Sequence, residues 1–191
     1  GRLAEELIRD FTAARVFAMF IWAVFMIEML MKYFPLGFES MGCQKQFAKN
    51  YIPAKNADDV PEKDLRIYDR GALLILIFWI MLNGIVAVLY FTHIIDRGIL
   101  VLISLLYSVS DMICILFFCP FQTWFMKNKC CISCRIYTWD YILMFTPLLM
   151  IRNFFTWSLC ITALGLMLRW EYIYRKHPER FSDRTNCSLH C

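Results

Sequence analysis

Four long apolar runs constrain the fold of this chain more than any other feature of its sequence. They lie approximately at residues 14–34, 71–92, 98–120 and 141–168. A bilayer core of about 30 Å is crossed by roughly 20 apolar residues in a helix, and each run reaches that length. Of all residues, 60% are hydrophobic and only 19% are charged. The sequence therefore predicts an all-α, multi-pass integral membrane protein in the lipid bilayer, with four transmembrane helices bundled into a single membrane domain over residues 1–191.

The segments between these spans divide into two sets. With four spans, a first loop at residues 35–70 and a Cys-rich loop at residues 121–140 share one side of the membrane, here called the loop face. The turn at residues 93–97 and both termini, including a polar tail at residues 169–191, are expected on the opposite face. The first loop is longer and carries a short helix that begins near Asp58 or Asp59, with Pro61 at its first position, and runs into the second span.

The distribution of charged residues bears on the orientation of the chain in the membrane and on its partners. With these four spans, Lys and Arg are almost equally numerous on the two faces, so the positive-inside rule does not assign the cytoplasmic side. The net charge of +4 is spread over loops and termini without a basic stripe, which argues against a nucleic-acid partner.

Three ionisable residues interrupt the apolar runs: Glu28, Asp111 and Arg152. Counted at about 1.5 Å per helical residue from the loop face, Asp111 and Arg152 lie at nearly the same depth. This agreement predicts that the two side chains are neighbours across the third and fourth spans. They either form a buried pair that fixes packing or, together with Glu28, line a polar cavity for a cofactor such as a quinone.

The cysteines are the second distinctive feature. Cys131 and Cys134 form a C-x-x-C pair with Cys130 directly before it, and basic side chains nearby favour the reactive thiolate. Pairs of this kind exchange between dithiol and disulfide. The first functional hypothesis is therefore redox chemistry by Cys130, Cys131 and Cys134, most simply thiol–disulfide exchange with a thiol-redox partner, with electrons passing to a quinone near Arg152.

This layout is similar to that of the quinone-linked disulfide-forming proteins of bacterial inner membranes. The resemblance rests on four helices of about this total length with cysteines in both loops of one face. It implies an oxidoreductase that passes electrons from thiols to a quinone. The first loop here offers Cys43 alone, where that family has a C-x-x-C pair.

A metal site is the alternative interpretation of the same cysteines. Four thiolates suit zinc or an iron–sulfur cluster, and adjacent thiols can also hold a soft metal such as copper. The ligands would come from the set Cys43, Cys119, Cys130, Cys131 and Cys134. The tail carries Cys187, His190 and Cys191, which a four-span topology keeps apart from that set. Structural disulfides, acylated cysteines, or a non-enzymatic subunit of a larger membrane complex are the remaining interpretations.

Overall fold

A computed structural model describes residues 2–34, 45–54, 60, 62–126, 136, 139–182 and 184–189. Regular structure in these ranges is helical, which confirms the all-α prediction for the described part of the chain. The α-helices are α1 (Arg2–Tyr33), α2 (Glu62–Phe91), α3 (Arg97–Leu116), α4 (Asp140–Phe145) and α5 (Phe154–Lys176). Short 3₁₀-helices cover Ala48–Asn50, Thr146–Met150, Pro178–Arg180 and Cys187–Leu189, and a π-helical turn covers Phe121–Met126.

Three of the described helices, α1 to α3, are long and apolar enough to cross a membrane. Their outward surfaces carry large apolar side chains, such as Phe20 at 65% exposure, Leu102 at 63% and Leu116 at 67%. Water would penalise this much exposed apolar surface, whereas lipid accepts it. As predicted, α2 continues the first-loop helix into the second span, beginning at Glu62. Asp58, Asp59 and Pro61 lie outside the described residues.

The fourth apolar run differs from its prediction, because it is broken in the middle. After α4 the chain tightens into the 3₁₀-helix Thr146–Met150, which has Pro147 in its first turn, and residues 151–153 are not helical. Proline lacks a backbone N–H and therefore interrupts α-helical hydrogen bonding. Asn153 takes extended backbone angles, and the Thr156 hydroxyl donates to the carbonyl of Ile151 over 2.7 Å, so α5 starts as a new helix.

The two halves of this run form an antiparallel helical hairpin against α1. At the loop-face end of α1, Lys32 contacts Asp140, the first residue of α4. In the middle of α1, the Trp22 indole donates to the Ser158 hydroxyl over 2.8 Å. The Arg169 guanidinium then lies 4.5 Å from the ring centre of Tyr33, back at the loop-face end. The fourth run therefore enters from the loop face and returns to it.

The tail after α5 packs on the first loop. The side chain of Asn186 is fully buried and bonds to backbone atoms of Lys45 and Ile52, and Arg184 forms a 2.8 Å ion pair with Asp64. The prediction that the tail lies on the opposite face is therefore wrong. Its error follows from counting the fourth run as one crossing, although the contacts with α1 turn it back.

Packing is concentrated where the hairpin meets α1 and the tail. Met29, Phe145 and Leu166 are buried there, and Trp170 stacks on Phe47 of the first loop with ring centres 5.3 Å apart. The Phe25 and Phe145 rings meet edge to face at 5.2 Å. These contacts hold the hairpin and the tail in one unit on the loop-face side of the helices.

Candidate functional site at the loop face

A polar cluster joins α1 to α4 near the loop face. The Lys32 ammonium lies 2.7 Å from a carboxylate oxygen of Asp140, with side chains only 18% and 8% exposed. The other Asp140 oxygen accepts from the backbone N–H of Tyr141, which fits a carboxylate at a helix start. The Tyr141 hydroxyl donates to Glu28 over 3.2 Å, and Lys32 also lies 4.4 Å from the Tyr141 ring centre. Partly buried charges are thus paired and hydrogen-bonded.

Lys32, Asp140 and Tyr141 were not singled out by the sequence analysis. Each stands at the edge of an apolar run, where charged and aromatic side chains are ordinarily explained by headgroup contact. Asp140 directly precedes the fourth run and Lys32 nearly ends the first. The opposite charges of these two residues, each at the boundary of an apolar run, were the sequence feature from which the contact could have been predicted.

A cavity of about 310 Å³ lies between α2, α3 and α4 on the loop-face side. Its wall is mainly apolar and aromatic, and it also includes two carboxylates and two thiols. The residues that matter below are Trp79, Tyr107, Asp111, Cys114, Cys119 and Asp140. A cavity thus borders Asp111, but it is mainly apolar, and its described wall lacks Arg152 and Glu28, which were expected there.

Asp111 and Arg152 are not neighbours, so the predicted pair is wrong. Asp111 lines the cavity with Asp140, whereas Arg152 lies in the turn of the hairpin and lines a different pocket. The Ser104 hydroxyl donates to the carbonyl of Met144 over 2.8 Å, which places Met144 about 10 Å along α3 from Asp111. Arg152 follows Met144 further in the same direction. The equal depths of Asp111 and Arg152 did not predict their positions correctly, because the depth of Arg152 was counted along a continuous fourth helix.

Glu28 also lies apart from Asp111 in this arrangement, since it faces Tyr141 of α4 and is exposed on α1. Of the three residues predicted to bind a cofactor, only Asp111 borders the cavity. A cofactor held jointly by Asp111, Arg152 and Glu28 is therefore not compatible with the observed positions. Any role of Arg152 at the hairpin turn remains a separate prediction.

Four cysteines fall within the described residues, and none of them forms a disulfide bond there: Cys114, Cys119, Cys160 and Cys187. Cys160 is buried in the span region and donates to the carbonyl of Phe145 over 3.4 Å, which suits a packing role. Cys43, Cys130, Cys131 and Cys134, which carry the predicted redox and metal sites, lie outside the described residues, as does Cys191. Among the described residues, no three metal-ligating side chains cluster.

Cys187 is held in a structured segment next to the first loop. Its backbone N–H donates to the carbonyl of Ile52 over 2.9 Å, and it begins the 3₁₀-helix Cys187–Leu189. Asn186, directly before it, donates to the carbonyls of Lys45 and Arg180 over 3.2 and 2.9 Å. The thiol of Cys187 is exposed. An anchored backbone that presents an exposed thiol places Cys187 on the loop face.

Comparison of the chain with protein-family models, with curated proteins and with solved structures finds no match.

Proposed function

We propose that this is an integral membrane protein that binds a soft metal ion on the loop face, through cysteines of the Cys-rich loop and of the tail together. Cys131, Cys134 and Cys187 are the first three ligands, and Cys130, His190 or Cys191 supplies the fourth. The observation that carries the proposal is the docking of the tail on the first loop, which brings Cys187 to the face of the Cys-rich loop.

The spacing of these residues suits zinc. Cys131 and Cys134 are separated by two residues, and so are Cys187 and His190. Structural zinc sites are tetrahedral and are commonly built from two such pairs of Cys and His ligands. Lys127, which is close to the pair in sequence, favours the thiolate form that binds metal.

The revised path of the chain also gives the protein an orientation. The fifteen Lys and Arg residues assigned to loop-face segments outnumber those on the opposite face, which are Arg2, Arg9, Arg15 and Arg97; Arg152 in the hairpin completes the twenty. The loop-face set is Lys32, Lys45, Lys49, Lys55, Lys63, Arg66, Arg70, Lys127, Lys129, Arg135, Arg169, Arg175, Lys176, Arg180 and Arg184. Positively charged loops remain in the cytoplasm, so we assign the loop face to that side.

A cytoplasmic loop face favours metal binding over stable disulfides. Thiols are kept reduced in the cytosol, and closely spaced cysteines there more often bind metal or act transiently in redox chemistry. Thiol–disulfide exchange linked to a quinone is the second candidate function. It is supported by Cys119, a free, half-buried thiol that follows α3 and leads toward the Cys-rich loop.

Metal content of the purified protein distinguishes the two candidates. Elemental analysis and a visible absorption spectrum should show about one equivalent of zinc, or the absorption of an iron–sulfur cluster. Cys131→Ser and Cys187→Ser should each remove it, whereas Cys160→Ser, which changes a buried thiol that contacts the carbonyl of Phe145, should retain it. Retention of metal by Cys187→Ser would exclude the tail from the site. A metal-free protein with a loop dithiol that titrates reversibly would support the exchange function instead.

A further inference from the structure

The described residues that line the cavity between α2, α3 and α4 differ from the metal ligands proposed above. It has the size and the apolar lining of a small-molecule site, with about 310 Å³ of space. It lies beside helices whose outer surfaces face lipid, so molecules that partition into the membrane are the ones that reach it. Its polar groups determine which of those molecules it suits.

The charges around the cavity do not balance. Asp140 is neutralised by Lys32 at 2.7 Å. Asp111, the second carboxylate in the wall, has no hydrogen bond or ion pair to any other residue that the structure describes. An ionised carboxylate in the apolar part of a membrane protein is costly unless a positive charge is close. An ionised Asp111 gives the cavity one negative charge that a bound cation would compensate.

Aromatic side chains beside this carboxylate strengthen the preference for a cation. The Trp79 and Tyr107 rings are in contact, with centres 4.6 Å apart, and both line the cavity. The Trp79 indole N–H donates to the Thr146 hydroxyl over 3.3 Å, which fixes the orientation of its ring. Faces of Trp and Tyr rings attract cations, most strongly where water is excluded.

We propose that the cavity lined by Trp79, Tyr107 and Asp111 binds a lipophilic cation, that is, an apolar molecule carrying one positively charged centre such as an ammonium group. Asp111 supplies the opposite charge, the two rings contact the cationic centre, and the apolar wall covers the remainder of the ligand. Trp79, Tyr107 and Asp111 are not among the proposed metal ligands, so we expect loss of metal to leave the site intact.

Tetraphenylphosphonium and tetraphenylborate are suitable probes, because they have nearly the same size and shape and opposite charge. Binding to the full chain in micelles of a neutral detergent is measured by equilibrium dialysis. Concentrations are chosen so that equal amounts of each ion partition into protein-free micelles. The cation should show a saturable component due to the protein, and the anion should not. Equal saturable binding of both ions, or none of the cation, would overturn the proposal.

Variants test whether the cation occupies this cavity. Asp111→Asn should weaken cation binding at least about tenfold, the scale expected for removing a partly desolvated charge contact. Asp96→Asn is the matched control. It removes the same charge from the start of α3, outside the cavity, and asparagine also caps helices, so binding should stay within about twofold. Equal losses of cation binding in the two variants would show that only the overall charge of the protein matters, and would refute the site.

A measurement on the unsubstituted protein covers the case in which Asp111→Asn fails to fold. Cys114 and Cys119 line the cavity and are half-buried, whereas Cys187 is an exposed thiol in the tail. Saturating tetraphenylphosphonium should slow alkylation of Cys114 and Cys119 by N-ethylmaleimide several-fold, read peptide by peptide by mass spectrometry, and should leave Cys187 unaffected. Unchanged rates at Cys114 and Cys119 would place the cation elsewhere and refute the proposal.

Discussion

The side-chain amide of Asn186 donates a 3.2 Å hydrogen bond to the backbone carbonyl of Lys45, 141 positions earlier in the chain. The same amide reaches the carbonyl of Arg180, and its oxygen accepts from the N–H groups of Ile52 and Ser188. A single buried side chain therefore closes the first loop onto the tail. Because the tail follows α5, this contact also determines the side to which the fourth apolar run returns.

Replacing Asn186 with Asp should release the tail. The substitution keeps the shape but exchanges two N–H donors for an oxygen that faces two carbonyls, at a cost of about 1–3 kcal/mol or more. Proteolysis of the tail should therefore rise. Asn153→Asp is the control, since Asn153 is exposed at the start of α5, where aspartate caps equally well. Unchanged protection in Asn186→Asp would show that the tail is held by other contacts.

Labelling of single-cysteine variants should place the tail and the first loop on the same, cytoplasmic side. A membrane-impermeant maleimide should reach Cys43, Cys130 and Cys187 only after cells are permeabilised. A cysteine introduced as His93→Cys, in the turn between α2 and α3, should react in intact cells, because this exposed position lies at the other end of both helices. Labelling of positions 187 and 93 from the same side would instead support a fourth run that crosses the membrane continuously.

The ion pair between Lys32 and Asp140 should contribute to stability as a pair. Lys32→Gln and Asp140→Asn each leave one partly buried charge alone, and each should lower the free energy of unfolding by about 3–5 kcal/mol. The double variant should lose clearly less than the sum of the single losses. The exposed Arg175 and the partly buried Glu171 are 3.6 Å apart and serve for comparison, with an expected coupling of at most about 1 kcal/mol. Additive losses at Lys32 and Asp140 would contradict the 2.7 Å contact.

Asp111 and Arg152 should show no energetic coupling. Because Arg152 is exposed at the hairpin turn and Asp111 lines the cavity, the effects of Asp111→Asn and Arg152→Gln on unfolding should add within about 0.5 kcal/mol. Chemical unfolding in detergent micelles measures the two single variants and the double variant. A coupling above about 1 kcal/mol would mean that the two side chains meet, and would favour the continuous helix expected from sequence.

The helices of this protein, three of them long and apolar enough to span a membrane, were readable from sequence because they depend on local properties. Runs of about 20 apolar residues predict helices long enough to cross lipid, whichever segments lie beside them, and α1, α2 and α3 agree with that prediction. The start of α2 in the first loop was likewise signalled by nearby capping residues and Pro61. The cost of an intramembrane charge also drew attention to Asp111, which borders the cavity.

The tertiary structure alone decided the path of the fourth apolar run. Residues 141–168 are long enough to cross the membrane, and their apolar character reports only that lipid accepts them. Whether they cross or return depends on energies between distant segments: Lys32 with Asp140, Trp22 with Ser158, and Asn186 with Lys45. The same interactions separate Asp111 from Arg152 and bring Cys187 to the loop face. No local sequence pattern encodes these contacts. Each residue type is common at its own position, and the contact depends on a partner that is distant in the chain.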